Sequence, residues 1–230
     1  NYVLSSRRQM RDNCFIPFKS PLDSVLIPTQ LNNPFGNTPP DICKIAVEEL
    51  QQFIHENEIN WNYYFGKNVL QINAEKGKMF GVLVVKNDRN ELGYLRAFSG
   101  KLNDDISPKG FTPSLFDVST DNYFINRGMS DLTRIGDQIK RLVSSNLEDN
   151  LELVKQLREE RKKKSFKLQQ QLFDNYNFLN ENGMVKNLCA IFENTINKRP
   201  PAGAGECAAP KLLHYAFLNN LQPIAIAEFW

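Results

Sequence analysis

The chain has 230 residues and a mass of 26.5 kDa, room for one large domain or two small ones at roughly 100 to 200 residues each. Its 28 Lys+Arg against 26 Asp+Glu leave a formal charge of +2, which excludes a uniformly basic nucleic-acid coat and an acidic disordered tail, so that any charge-based function must be local. A hydrophobic fraction of 41% excludes wholesale disorder, and no run approaches the ~18 consecutive apolar residues of a membrane span.

No basic stretch followed by an apolar one opens the chain as in a signal peptide, so a cytoplasmic protein without a membrane partner is the expectation. Cys14, Cys43, Cys189 and Cys207 are scattered without a CxxC pair, which argues against a disulfide framework and against a zinc site made by this chain alone. The sequence starts at Asn1 and stops at Trp230 inside the apolar run Ile224–Trp230, which reads as a strand; a longer parent protein is expected.

Residues 1–40 are rich in turn formers, among them Pro17, Pro21, Pro28, Pro34, Gly36, Pro39 and Pro40, and read as an extended segment wrapping a core. Asp41 is placed to cap a first amphipathic helix, because Ile42, Ile45, Ala46, Leu50, Phe53 and Ile54 recur at helical spacing through about Asn57. Between Lys78 and Gly100 the strings KMFGVLVVK and ELGYLRAFSG flank the polar turn NDRN, the pattern of an antiparallel hairpin. Its first strand is apolar at nearly every position from Met79 to Val85, which predicts burial on both faces in the centre of a sheet with helices on each side.

From Asp131 the period turns helical: Leu132, Ile135, Ile139 and Leu142 step by 3, 4 and 3, a coiled-coil seam. A second helical run carries Leu151, Val154, Leu157, Leu168, Leu172 and Phe173, and Gly183 is the expected stop. The two runs predict an antiparallel helical hairpin. Within it, residues 155–167 hold Lys155, Arg158, Arg161, Lys162, Lys163, Lys164 and Lys167 against only Glu159 and Glu160. Such a run is either a solvated helix face or a phosphate-contacting patch. The last section places PPAGAGECAAP before a helix with Leu212, Leu213, Tyr215, Ala216, Phe217 and Leu221 on its apolar face, and a strand follows Pro223.

These elements predict an α/β fold: a mixed sheet with a β-hairpin and flanking helices, plus a protruding antiparallel helical hairpin. The expected divisions are an extended segment over 1–40, a core over 41–128 and 184–230, and a helical insertion over 129–183. His55 and His214 have no serine or cysteine partner at a catalytic spacing, and His214 reads as a packing or surface residue. Gly203 and Gly205 read as a tight turn into the last helix, since no Gly-Lys-Ser/Thr follows them, and Asp104 and Asp105 as turn formers.

With the helical hairpin set aside, the order helix, strand, strand, helix, strand, with Cys207 opening the second helix, resembles the core of the cytidine-deaminase-like fold. In that family a His or Cys, any residue and then Glu open this helix, two cysteines beyond the third strand complete a zinc site, and the Glu shuttles protons. The matching tripeptide is Cys207, Ala208, Ala209. The resemblance therefore implies Cys207 as a zinc ligand in a full-length protein, no cofactor in this chain alone, and no proton shuttle where Ala209 stands. A packed structural cysteine is the alternative.

The segments GKMFGVLVV, ELGYLRAFSGKL, LQQQLFDNYNFLNENG and PPAGAGECAAPKLLHYAFLNNLQPIAIAEFW are similar to the long N-terminal region of a group of bacterial RluA-family pseudouridine synthases, of the Bacteroidetes and proteobacterial type, over most of the chain from about Pro40. The resemblance implies an accessory region that positions structured, ribosomal RNA for a synthase domain lying beyond Trp230. That domain isomerises uridine with the aspartate of an arginine-leucine-aspartate motif. The motif does not occur here; the nearest string, Leu132 to Asp137, lacks its leucine, and no catalytic residue is carried over. Arg158, Arg161, Lys162, Lys163, Lys164 and Lys167 are the candidate RNA contacts. The third expectation is a structural module that forms a homodimer through the coiled-coil seam.

Overall fold

The computed structural model describes residues 14–34, 36, 38–57, 78–100, 108–115, 123–145 and 150–230. Residues 1–13 of the expected extended segment, and Asp104 and Asp105, lie outside them. In chain order the elements are β1 (Ile16–Pro17), α1 (Asp41–Glu56), β2 (Phe80–Lys86), β3 (Leu92–Phe98), α2 (Tyr123–Ser144), α3 (Leu151–Asn175), β4 (Asn177–Leu179), β5 (Val185–Asn187), α4 (Leu188–Phe192), α5 (Ala208–Leu218) and β6 (Gln222–Phe229). The chain divides into two compact units. One joins the residues up to Leu115 with Phe178–Val185 and Gly205–Trp230, and the other joins Phe116–Asn177 with Lys186–Ala204.

The first unit has the α/β architecture that the sequence predicts. A four-stranded sheet runs in the order β1-β3-β2-β6. Every residue of β2 from Phe80 to Val85 is buried, and pleating sends alternate side chains to opposite faces. Phe80, Val82 and Val84 meet Ile42, Cys43, Ala46 and Leu50 of α1, whereas Leu83 and Val85 join the cluster of Ala208, Leu212 and Ala216 of α5. The result is three layers, helix on sheet on helix. All pairings of the sheet are antiparallel, in place of the expected mixture of directions. A continuous apolar run reports burial on both faces and carries no information about strand direction; here the tight Asn87–Glu91 turn and the short return after α5 set both neighbours of β2 against it.

Local chemistry fixes the ends of these elements. Asp41 is the first residue of α1 and Pro40 is the cap; instead of capping, Asp41 accepts an ion pair from Lys44 at 2.6 Å, with its charge at the positive end of the helix. In the hairpin turn, Asn87 Oδ1 accepts from the Arg89 and Glu91 amides at 3.0 and 2.9 Å, and Asn90 takes a positive φ of 60°. Within the described part of the expected extended segment, β1 pairs with β3, and Phe18, Leu22, Val25 and Ile27 pack on the α1 side. Asn32 acts on the outer edge of β6 as a one-residue strand. Its Nδ2 donates to Ile226 O at 2.9 Å and its Oδ1 accepts from Ile226 N at 2.8 Å, which occupies backbone groups that an open edge would offer to another chain.

Arg96 is buried on the α1 side, with its guanidinium 3.7 Å from the Phe53 ring centroid and 4.5 Å from that of Phe111. Its Nε and Nη2 donate to Gly110 O and Lys109 O at 3.0 and 3.2 Å, fastening the 108–112 loop to the sheet. Desolvation at this site pulls the guanidinium's pKa below its ordinary value.

The second unit contains the expected antiparallel helical hairpin. Leu132 and Ile135 of α2 and Val154, Leu157, Leu168 and Phe173 of α3 are buried, and Gly128 lets α2 approach so closely that a Cβ there would lie 2.7 Å from Leu168 Cδ1. Of the seam read from Leu132, Ile135, Ile139 and Leu142, the first two are buried within one chain and the last two are half-buried. Helix α2 begins at Tyr123, ahead of the expected Asp131, and α3 ends at Asn175, well short of Gly183. Gly183, at φ 74°, serves the turn between β4 and β5, where Asn180 Oδ1 also accepts from Met184 N at 2.9 Å.

The boundary expected at residue 184 is also displaced, because Lys186–Ala204 belong with the helices. The cause is Asn187. Its Nδ2 donates to Phe173 O, Asp174 O and Tyr176 O at 3.1 to 3.3 Å, satisfying carbonyls that the end of α3 leaves unpaired, while its Oδ1 caps α4 by accepting from Cys189 N at 2.9 Å.

The layer packing leads to two predictions. Gly81 lies under α5, and a Cβ there would fall 2.9 Å from Ala208 Cβ and 3.1 Å from Leu212 Cδ1. Gly81→Ala therefore costs about 1 to 3 kcal/mol of unfolding free energy as overpacking, read by chemical denaturation. Burial pushes the Cys43 thiol from 9.0 up to about 12. Between those values the folded chain keeps a proton that the unfolded chain releases, so stability falls as pH rises, by about 1.4 kcal/mol per pH unit for one such group. Denaturation from pH 8 to 10 should show a shallower decline in Cys43→Ala than in the parent chain.

Candidate nucleic-acid interface

Positions 158, 162 and 166 share one stripe of α3 at four-residue spacing. Opposite them α2 presents Gly136, Asp137 and Lys140, and the two helices leave a groove of about 810 Å³ on the hairpin. Lys140, Arg158, Arg161 and Lys162 line it with Asp137, the one carboxylate, which pairs with Lys140 at 3.4 Å. Exposed pairs of this kind are worth about 1 kcal/mol or less, so the groove stays cationic.

The run read from the sequence is split by this geometry. Arg158, Arg161 and Lys162 border the groove, whereas Lys163, Lys164 and Lys167 are not among its lining residues. Lys164 is committed to Glu160 Oε1 at 3.0 Å, one helical turn away. Arg161 has a dual position, since its Nε donates across the hairpin to Leu132 O at 3.3 Å and so ties α3 to α2. Two residues outside the run complete the site. Lys140 comes from the facing helix, and Arg199 lays its guanidinium 3.8 Å from the centroid of the Phe166 ring while its Nη2 donates to Gln169 Oε1 at 3.3 Å. Sequence reasoning missed both because each stands in a short cation pair, Lys140–Arg141 and Lys198–Arg199, outside the long basic run.

The second candidate position is the start of α5. Cys207 is its N-cap residue and is exposed, but its side chain makes no capping bond. Glu228 supplies the cap from β6: its Oε1 accepts from Ala209 N at 3.0 Å, placing a carboxylate at the positive end of the helix. Partial desolvation and the Glu228 carboxylate, with a smaller push from Glu206, raise the Cys207 thiol above its ordinary value against the pull of Lys211, so the environment favours thiol over thiolate. Among the described residues no group of three or more His, Cys, Asp or Glu is arranged to hold a metal ion. Gly203 and Gly205, at φ 82° and 95°, form the turn the sequence predicts. His214 packs: its Nδ1 accepts from Leu179 N at 3.0 Å and Phe178 meets its ring edge-on.

One turn into α5, Lys211 is buried with its Nζ donating to Phe98 O at 3.1 Å and Gly100 O at 2.6 Å and pairing with Glu206 at 3.2 Å. This cation joins the end of β3, the turn before α5 and α5 itself. Removing one partner of a buried pair strands the other, so Lys211→Met should cost about 3 to 5 kcal/mol in denaturant unfolding. Lys211→Met paired with Glu206→Gln should recover part of that loss.

No helix among the described residues is long and apolar enough to cross a membrane. No family model, curated protein or solved structure matches the chain.

Proposed function

We propose that this chain is the N-terminal accessory region of a cytoplasmic RluA-like pseudouridine synthase, in which the helical hairpin positions structured RNA, ribosomal RNA in the first instance, for a synthase domain beyond Trp230. The observation that carries the reading is the groove, where four cations face one already paired carboxylate on a surface that also offers an exposed aromatic ring. Cations at that density supply phosphate contacts, which position a nucleic acid without reading its sequence. The similarity of four chain segments to the RluA-family region adds the identity of the parent enzyme. In this reading the chain itself performs no chemistry on uridine.

The salt dependence of RNA binding by the 230-residue chain tests the proposal. Each phosphate that the protein no longer neutralises takes roughly 0.7 to 0.9 off the slope of log affinity against log salt. Arg158→Gln with Lys162→Gln should therefore flatten the slope by about 1.4 to 1.8, whereas Lys163→Gln with Lys167→Gln, outside the groove lining, should change it less. A slope left unchanged by Arg158→Gln with Lys162→Gln, or near zero in the parent chain, would return the run to a solvated helix face, and an equal flattening by both pairs would reject the groove as the contact site.

The position of Cys207 favours a second reading, a degenerate deaminase-like core whose zinc site is completed by cysteines beyond Trp230. The full-length protein would then carry about one zinc, lost in Cys207→Ser, and with Ala209 in the proton-shuttle position it would leave cytidine and adenosine unprocessed. Metal analysis of the two full-length proteins decides it, and zinc in neither rejects the reading. Homodimerisation through the hairpin, the third reading, would have to use surfaces other than Leu132 and Ile135, which are buried within one chain.

A further inference from the structure

We infer that the hairpin groove takes an unpaired stretch of RNA, with one base stacked on Phe166 and neighbouring phosphates on Lys140, Arg158 and Lys162. This inference rests on the RNA-positioning reading above and adds the class of RNA. Phe166 is 56% exposed although it sits on a helix that buries Val154, Leu157, Leu168 and Phe173 in the hairpin core. A ring left that far in solvent adds little to folding. Yet it is held in place: Arg199 stacks on it at 3.8 Å, and Gln169, itself on the groove, anchors Arg199 at 3.3 Å. The chain therefore keeps a pre-oriented aromatic and guanidinium stack beside a row of cations.

That pairing of features discriminates among polyanions. A duplex offers phosphates but keeps its bases stacked inside, where a ring on a helix surface cannot reach them. An unpaired strand alternates phosphates with open base faces, and base–aromatic stacking combined with a cationic groove is the general mode of single-strand binding. An acidic peptide would engage the cations without using the ring. Charge complementarity thus selects a nucleic acid, and Phe166 selects an unpaired one.

The test compares an oligouridine strand with a blunt RNA duplex of equal length, titrated into the 230-residue chain and its variants at several salt concentrations. The parent chain should prefer the single strand. Phe166→Ala should weaken single-strand binding by about 5- to 150-fold, the range of one base–aromatic stack, leave duplex binding within twofold and leave the salt slope unchanged, because a stack releases no counterions. Phe166→Leu keeps apolar bulk and should show the same loss, while Phe166→Trp should retain binding. A loss of less than twofold in Phe166→Ala, an equal loss on duplex, or full rescue by leucine overturns the inference; if Arg158→Gln with Lys162→Gln still flattens the slope, the RNA-positioning reading survives. Absence of salt-dependent binding to either RNA overturns both.

Discussion

Burial of β2 on both faces is the constraint on which the rest of the α/β unit depends. A strand with no polar position between Phe80 and Val85 must be covered above and below, and the chain provides one helix for each side. Helix α1 brings a branched and aliphatic surface to Phe80, Val82 and Val84, while α5 brings small residues, Ala208 and Ala216, so that it can lie close over Gly81. The glycine and the alanines fit one another across the layers. At the start of α5 that close approach brings polar groups into the layers, and Lys211, Glu206 and Glu228 satisfy them where a wholly apolar junction would leave carbonyls and amides unpaired.

The second unit solves the opposite problem. Its helices bury a narrow seam and leave most of their surface in water, so charge and not packing decides what they present. Arg161 links the two roles, with part of its guanidinium spent on Leu132 O across the seam and the residue still lining the groove. Asn187 closes the unit at its other end by taking up the last carbonyls of α3. The cationic groove is therefore built on two helices tied to each other by the Arg161 bond to Leu132 O, with the end of α3 closed by Asn187.

Much of this was legible in the chain. The three-layer core could be read from the uninterrupted apolar run of β2 and the helical spacing of Ile42 to Ile54, and the hairpin from the 3-4-3 seam, because periodicity reports directly which faces are buried. The direction of β6 beside β2 could not, since the apolar run of β2 would read the same next to a parallel neighbour. Gly183 illustrates a further limit: a glycine after a helical run signals a turn, but whether that turn ends a helix or joins two strands depends on β4 and β5, each only three residues long. In the groove, the run over residues 155–167 showed that cations are concentrated but not which of them share a face with Lys140 and Phe166. Arg199 could not be found at all, because its meaning arises only when the fold sets it against a ring 33 positions earlier, as the residue numbers show.

In the proposed function RNA lies on the helical hairpin and not on the α/β unit. Ultraviolet cross-linking of bound RNA to this chain, followed by peptide mapping, reads that location directly. Cross-links should concentrate in the α3 peptide containing Phe166 and in the α2 peptide containing Lys140. Cross-links confined to α1, the β2–β3 hairpin or α5, with none on α2 or α3, would contradict it.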